Sequence, residues 1–211
     1  MDKNLQVDTF CRFAQVSRET IKSLNTYEDR LIEANKDLNL IGKSTINQIW
    51  SRHFLDSAQV IDFIDKNDKT LVDIGSGAGF PGLVLAIILK DRKISLKIKL
   101  IEKSPKKVKF LKKIINELNL NVEVLDKNIF DYSKKISDDI IVARAFKPFK
   151  IILELIHNQA INWKKILIYL GKTGINELHE ASKIWDIEYK QRVSITNNDS
   201  TVLEIKRIKK K

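Results

Sequence analysis

A short segment with four glycines is the part of this sequence best suited to chemistry. Residues 71–82 read Leu-Val-Asp-Ile-Gly-Ser-Gly-Ala-Gly-Phe-Pro-Gly, an apolar strand that runs into glycines and is followed by the apolar run Leu83–Leu89. A strand that turns sharply into a helix needs glycine where φ is positive or where a ligand approaches the backbone closely. Asp73 in this strand and Glu102 at the end of the next apolar run would add two carboxylates at one sheet edge. The segment therefore predicts a cofactor-binding loop.

The spacing of the glycines bears on which cofactor the loop binds. Residues 77–82 fit the dinucleotide pattern G-x-G-x-x-G, so the pattern alone leaves two cofactors open. A dinucleotide loop normally uses the first glycine after the strand, and counted from Gly75 the sixth position is Phe80 rather than glycine. The loop is more typical of S-adenosylmethionine binding, which needs small residues beside the methionine and an acid, here Glu102, for the ribose hydroxyls. The contacts predicted for this part of the cofactor are Asp73, Gly75, Gly77, Gly79 and Glu102.

Two later segments complete the predicted site. Segment 126–132 would place backbone and an apolar side chain, Ile129 or Phe130, beside the adenine ring. Segment 143–149 lacks the Asn-Pro-Pro-aromatic or Asp-Pro-Pro-aromatic sequence that cradles an exocyclic amine, and this half of the chain has no cysteine for covalent attack on a pyrimidine. An acceptor with its own lone pair, such as guanine N7, needs only in-line geometry at the methyl group.

Arg144 is the predicted catalytic residue, and it is also a predicted cofactor contact. Its guanidinium could orient the cofactor carboxylate, or contact guanine O6 or a phosphate. The alternative is an ordinary structural ion pair. Phe146 or Phe149 could stack on an extruded base, although core packing is the simpler role for each.

The periodicity of apolar residues indicates which elements hold these segments. From Asp8 to about Phe63 apolar residues recur at three- and four-residue spacing, which predicts an N-terminal helical cap. After Lys69 short strand-like runs alternate with helical stretches such as 106–118 and 149–158, and this alternation indicates a parallel sheet with helices on both faces. The predicted strands are Leu71–Ile74, Lys97–Ile101, Val122–Leu125, Ile140–Ala143 and Lys165–Tyr169.

The C-terminal part has a different pattern. Ile187–Val193 and Ser200–Ile208 alternate around residues 196–199, which predicts an antiparallel hairpin. Five β/α units closed by a hairpin fit the Rossmann-like α/β sheet of a class I S-adenosylmethionine-dependent methyltransferase better than a dehydrogenase sheet. We expect residues 1–66 to form the cap and residues 67–211 the methyltransferase domain, packed as one compact unit.

Charge is distributed unevenly along the chain. The formal net charge is +11, but residues 1–65 hold 8 Lys and Arg against 10 Asp and Glu, and residues 66–211 hold 30 against 17. Between Lys97 and Lys113 there are eight lysines and one acid. Such a density is expected of a surface that meets nucleic-acid phosphates, although a general bias toward lysine is an alternative explanation.

The cysteine, histidine and apolar content argues against disulfide-bonded, metal-binding and membrane-spanning classes of protein. The single cysteine, Cys11, rules out an internal disulfide, and the three scattered histidines have no metal-ligand spacing, so no metal is expected. The longest apolar run, Phe80–Leu89, is half the roughly 20 residues that a membrane span requires. We therefore expect a cytoplasmic protein without a membrane partner, and nothing in the sequence demands more than a monomer.

Several motifs, in matching order over nearly the whole chain, resemble the bacterial ribosomal RNA small subunit methyltransferase G family, also called the glucose-inhibited division protein B family. These motifs are Asn39-Leu40, Arg52-His53-Phe54-Leu55-Asp56-Ser57, Phe80-Pro81-Gly82, Lys107-Val108-Lys109-Phe110-Leu111, Arg144-Ala145-Phe146 and Leu170-Gly171-Lys172 with Gly174. The resemblance implies S-adenosylmethionine-dependent methylation of N7 of a guanine, conventionally guanine 527, in the 530 loop of 16S ribosomal RNA. The resemblance also implies that Phe80 is a cofactor contact. At Phe130 members commonly have an acidic residue, so a backbone contact is expected there.

The resemblance also implies an RNA-binding surface and leaves rival functions open. The predicted contacts to ribosomal RNA or the small subunit are Arg52, His53, Lys103, Lys106, Lys107, Lys109 and Lys113. For His53 an interface histidine that holds the cap to the sheet through Asp56 is an equal alternative. The rival functions are a methyltransferase for transfer RNA or a small molecule, and a basic RNA-binding or ribosome-binding protein without catalysis. An NAD-dependent oxidoreductase is disfavoured by the glycine register.

Overall fold

Seven strands form one mixed sheet in the computed structural model, which describes residues 2–211. The strand order is β3-β2-β1-β4-β5-β7-β6, with β1 to β5 parallel and the last two strands antiparallel. All five predicted parallel strands are present, with their bounds within about one residue of the expected ones. The strands are β1 Thr70–Ile74, β2 Lys97–Glu102, β3 Val122–Asp126, β4 Ile140–Arg144, β5 Lys165–Leu170, β6 Trp185–Ser194 and β7 Asn197–Lys210.

Helices cover both faces of the sheet, as the alternating pattern predicts. Strands β1, β2, β4 and β5 bury side chains on both faces, which is why they read as continuous apolar runs. One core holds the α4 and α5 face together with the cap, and the second core holds α6, α7 and the hairpin. These helices are α4 Gly82–Asp91, α5 Pro105–Glu117, α6 Phe149–Gln159 and α7 Gly174–Ser182.

The cap consists of two long helices and a series of short turns. The long helices are α1 Lys3–Ala14 and α2 Arg18–Leu38, and α2 begins where the Ser17 side chain accepts the Thr20 N–H. The short turns are a 3-10 turn at Lys43–Gln48, a π-helical turn at Trp50–Leu55, the single turn α3 Asp56–Ala58 and a 3-10 turn at Ile61–Phe63.

Aromatic packing joins the cap to the sheet. The ring of Tyr27 lies 5.4 Å from Phe54 and 5.7 Å from Phe80, and the Tyr27 hydroxyl donates to the Ala78 carbonyl at 2.5 Å. Cap and sheet residues therefore share one core. The division at residue 66 stays a prediction.

The C-terminal hairpin forms as predicted, but its turn lies earlier. Ser194 pairs with Asn197, so Ile195 and Thr196 form the turn and residues 197–199 already belong to β7. The Asn-Asn-Asp sequence reads as a turn because these residues favour turns locally. The pairing of the long strands overrides that preference, with register shifts at Glu188/Tyr189 and Val193/Ser194.

Two kinds of feature are absent from residues 2–211. No helix in this range is long and apolar enough to cross a membrane. Likewise, no group of three or more His, Cys, Asp or Glu side chains in the described chain is arranged to hold a metal ion.

Candidate active site

A cavity of about 530 Å³ lies at the carboxyl ends of the central strands. In open α/β sheets ligands bind at this edge, where the strand order reverses direction. The glycine loop, the ends of β2 and β4, the segment after β3 and part of the cap line it. The predicted residues that line the cavity are His53, Gly75, Gly77, Phe80, Glu102, Lys103, Lys107, Ile129, Phe130 and Arg144.

The glycine loop leaves open space at one position and none at another. Gly77 has φ of +57°, and a Cβ added there would meet no atom closer than 3.9 Å. At Gly75, with φ of +73°, an added Cβ would lie 2.0 Å from the Phe146 ring. Glycine is therefore required at Gly75 by a close neighbour, whereas Gly77 presents bare backbone to the cavity.

Glu102 fixes the loop from the end of β2. Its carboxylate accepts the Gly77 N–H at 2.9 Å and the Ser104 N–H at 2.8 Å. The residue is 8% exposed and lines the cavity. The position suits a ribose contact, and that contact stays a prediction.

Asp73 lies behind the loop rather than at the sheet edge, which corrects the prediction of a direct cofactor contact. The residue is fully buried, does not line the cavity, and accepts the Gly82 N–H at 2.9 Å through Oδ2. Its Oδ1 has no hydrogen-bond partner in the described chain, and burial raises the pKa of this carboxyl to about 8. Because it follows the strand alternation, Asp73 faces α4 and supports the loop.

Gly79 also supports the loop without lining the cavity, contrary to its predicted role as a contact. Its N–H donates to the Ser76 carbonyl at 2.7 Å, and an added Cβ would lie 2.8 Å from the Tyr27 hydroxyl oxygen. The glycine is required because the cap packs against this turn.

The segment after β3 reaches the cavity as predicted, and its two apolar residues differ. Ile129 is buried and packs in the second core, whereas Phe130 is 41% exposed. The Phe130 ring stacks on Phe146 at 6.0 Å between centroids. Phe146 also lines the cavity, whereas Phe149 is fully buried in the core.

Arg144 forms an ion pair with the cap while lining the cavity. Its Nε lies 2.9 Å from Asp56 Oδ2, and Nη2 donates to the Arg52 carbonyl at 2.6 Å. The guanidinium lies 5.6 Å from the Phe80 ring centroid and 5.9 Å from that of Tyr169. The ion pair that the sequence left as an alternative is thus present, and a catalytic role stays a prediction.

His53 lines this cavity, whereas Arg52, which is adjacent in sequence, does not. The His53 ring stacks on Phe80 at 5.0 Å, and its Nε2 lies 2.9 Å from Thr45 Oγ1. Burial first, then the positive charges of Arg144 and Arg52, lower the pKa of His53 to about 3, so the imidazole is neutral near pH 7. Asp56 pairs with Arg144 and not with His53.

The predicted RNA-binding lysines divide into two groups. Lys103 and Lys107 line the cavity, whereas Lys106, Lys109 and Lys113 lie exposed on α5 outside it. Sequence reasoning did not single out Leu40, Ile41 and Gly42 of the cap, or Lys127 and Asn128 after β3, as cavity residues. The Asn39-Leu40 motif was the only signal for the cap segment.

Comparisons with known proteins were made by sequence and by structure. The family model described as rRNA small subunit methyltransferase G (GidB) matches residues 20–205. A ribosomal RNA small subunit methyltransferase G from Pelagibacter ubique is 41% identical over 93% of this chain and 92% of its own length. The protein of the same description from Rickettsia akari is 35% identical over 93% of this chain and 98% of its own length.

The structural comparison concerns the fold alone. TrmK of M. capricolum, solved with S-adenosyl-homocysteine, aligns with a TM-score of 0.54 and 18% identity over 71% of this chain and 66% of its own. The class I methyltransferase fold predicted from the sequence is confirmed. With the family model covering most of its length, the chain belongs to the rRNA small subunit methyltransferase G family.

Proposed function

We propose that this protein transfers a methyl group from S-adenosylmethionine to N7 of a guanine in the 530 loop of 16S ribosomal RNA. Family membership supports small subunit ribosomal RNA as the substrate. The base and the atom are inferred from the chemistry of the cavity together with the resemblance in the sequence motifs.

The observation that carries the proposal is that no carboxylate, imidazole or thiol lining the cavity in the described chain is available as a general base or nucleophile. Glu102 is the one carboxylate there, and its oxygens accept two backbone N–H groups. His53 has a pKa of about 3, so it is a poor proton acceptor. No cysteine lines the cavity. An acceptor that first had to lose a proton would be poorly served here, whereas guanine N7 already presents a lone pair.

The residues present fit the cofactor as well as the acceptor. When bound, S-adenosylmethionine supplies an electrophilic methyl group on a sulfonium. We infer that Glu102 binds the ribose, that Gly77 leaves open backbone beside it, and that the 129–130 segment forms an apolar wall for adenine, since all of them line the cavity. The role of this chain is to hold donor and acceptor in line and to exclude water.

The charge around the cavity fits an RNA substrate. Four lysines line the cavity, and three of the predicted RNA-binding lysines lie exposed on α5 beyond it. Only Lys113 of the three has an ion pair among the described residues, at 3.9 Å from Glu33. Lysines without acidic partners are free to neutralise phosphates. The seven are Lys103, Lys107, Lys127 and Lys147 at the cavity, and Lys106, Lys109 and Lys113 on α5.

The proposal is tested by following the methyl group. Labelled S-adenosylmethionine is incubated with 16S rRNA, or with small subunits, from cells that lack the modification, and 7-methylguanine is mapped by chemical cleavage. We expect label at one guanine of the 530 loop. Label elsewhere, or none on either substrate, would overturn the proposed function.

Calorimetry separates the rival function, an RNA-binding protein without catalysis. We expect the wild-type protein to bind S-adenosylmethionine and S-adenosyl-homocysteine. Absence of binding to both would favour the non-catalytic alternative. Cytoplasmic location and a monomeric state remain predictions.

A further inference from the structure

A second cavity, of about 310 Å³, adjoins the first on the side of β5 and the hairpin turn. The two cavities share Arg144 and Ala145, so they lie on either side of the loop after β4. Ala145 has φ of +48°, a conformation that non-glycine residues seldom adopt and that is found frequently at functional sites. The volume lies at the lower end of the range for small-ligand pockets, roughly 300–1,000 Å³.

Three separate parts of the chain build the wall of this cavity around the Asp56 carboxylate. Oδ2 accepts from Arg144 at the end of β4, as described above. Oδ1 accepts the Thr196 hydroxyl at 2.7 Å and the Ser194 hydroxyl at 3.1 Å from the hairpin turn. Cap, sheet and hairpin are therefore connected at one carboxylate, which holds the cavity in a defined shape.

The remaining polar groups of the lining have capacity for a ligand. Arg52 lines this cavity, and its guanidinium makes no hydrogen bond or ion pair with any of residues 2–211. Asn197 and Ser200 bond to each other at 3.1 Å, which leaves further lone pairs on their oxygens. Gly171 forms part of the rim, and an added Cβ there would meet no atom within 4 Å.

We propose that this second cavity is the acceptor site, which receives the nucleobase to be methylated. The inference rests on the proposed function. Guanine N7 and O6 lie on one edge of the base, and the amino group N2 lies on the opposite side. With N7 directed to the junction at Ala145, the N2 side faces the oxygens of the hairpin turn. Arg52 contacts O6 or the flanking phosphate.

The geometry also explains why the base must leave its stack. A pocket of about 310 Å³ bordered by the cap, β5 and the hairpin turn has too little room for a paired helix, so we expect the target nucleotide to be extruded into it. The hairpin turn thereby has a role in recognising the target base, which its sequence does not predict.

The first test fills the cavity without touching the cofactor. Gly171→Leu places a branched side chain in open space at the rim, and Gly171→Ala adds one methyl group. We expect kcat/KM for 16S rRNA to fall slightly with alanine and at least tenfold with leucine. The Kd for S-adenosylmethionine, the melting temperature and the RNA affinity measured by anisotropy should stay within about twofold or a degree of wild type.

The second test removes the cation. Arg52→Ala should lower kcat/KM at least tenfold with an unchanged Kd for S-adenosylmethionine, while Lys190→Ala on the exposed face of β6 is the charge-matched control. Full activity in both Gly171→Leu and Arg52→Ala would overturn the acceptor site and leave the proposed function intact. Loss of cofactor binding in Gly171→Leu would also overturn it, since the cavity would then belong to the cofactor.

Failure of the proposed function gives a different result. In that case neither the wild-type protein nor any variant places label in the 530 loop. The acceptor site is then tested on whatever base is methylated: 6-thioguanosine substituted into that RNA should crosslink to residues 194–201 or to Arg52. Crosslinks confined to α5 would overturn it.

Discussion

The Arg144 guanidinium and the Asp56 carboxylate form an ion pair, with Nε and Oδ2 2.9 Å apart and side chains only 15% and 13% exposed. This pair joins the end of β4 to the cap where the two cavities adjoin. Arg144 therefore contributes to stability through this pair and also to the site, because it lines both cavities. Removing the pair should lower the stability and alter the site.

We expect Asp56→Asn to lower the free energy of unfolding by about 3 kcal/mol, because Arg144 is left buried without its carboxylate. The matched control is Asp186→Asn, which breaks the exposed ion pair of Asp186 and Arg207 and should cost less than about 1 kcal/mol. Urea denaturation measures both. If the two variants lose equal stability, the buried pair does not hold the cap.

Gly77→Asp should abolish S-adenosylmethionine binding and leave the fold intact. The added Cβ meets no atom closer than 3.9 Å, so the substitution causes no clash, and aspartate is among the residues that adopt positive φ most readily. The new carboxylate, however, enters the cavity beside Glu102. Calorimetry measures the binding and circular dichroism the fold.

Gly171→Asp adds the same side chain at the other cavity and serves as the control for this binding measurement. It should bind S-adenosylmethionine as wild type does. A Gly77→Asp protein that still bound the cofactor with wild-type affinity would place the cofactor elsewhere.

Asp73 predicts a specific dependence of stability on pH. Its pKa is about 8 in the folded protein and near 3.8 when unfolded, so between these values the folded state holds a proton that the unfolded state releases. This contribution is fully present below about pH 4 and is lost as pH rises to 8. Relative to Asp73→Asn, wild type should lose about 2 kcal/mol between pH 6 and pH 8.

Urea denaturation at several pH values measures this difference. Asp126→Asn, at the exposed end of β3, is the control and should follow the wild-type profile. Parallel profiles for wild type and Asp73→Asn would show that Asp73 is ionised in the folded protein.

Three lysines on α5 should contribute to RNA affinity through phosphates. Changing Lys106, Lys109 and Lys113 together to alanine should weaken binding to 16S rRNA and reduce the slope of log K against log salt by about 2. The control replaces three exposed lysines elsewhere, Lys22, Lys36 and Lys66, and removes the same charge. Equal slopes for the two triple variants would show that the α5 lysines act only through net charge.

The sequence by itself determined the sheet and the main cofactor loop. Strands β1, β2, β4 and β5 are buried on both faces, so each reads as an apolar run, and the glycines between β1 and α4 indicate a sharp turn with positive φ. Glu102 could be placed because it ends a strand that neighbours β1. These inferences depend on local pattern and on the short connections of a parallel sheet.

Only the tertiary structure decided where individual side chains point and which distant segments meet. Asp73 and Glu102 look alike in sequence, but Asp73 lies inside β1 and is buried against α4, whereas Glu102 ends β2, one residue beyond its last pairing with β1, and lines the cavity. The split of Arg52 from His53 and the meeting of Asp56 with Arg144 and the hairpin turn depend on how the cap packs on the sheet. No local pattern encodes such contacts, because they arise from packing between segments far apart in the chain.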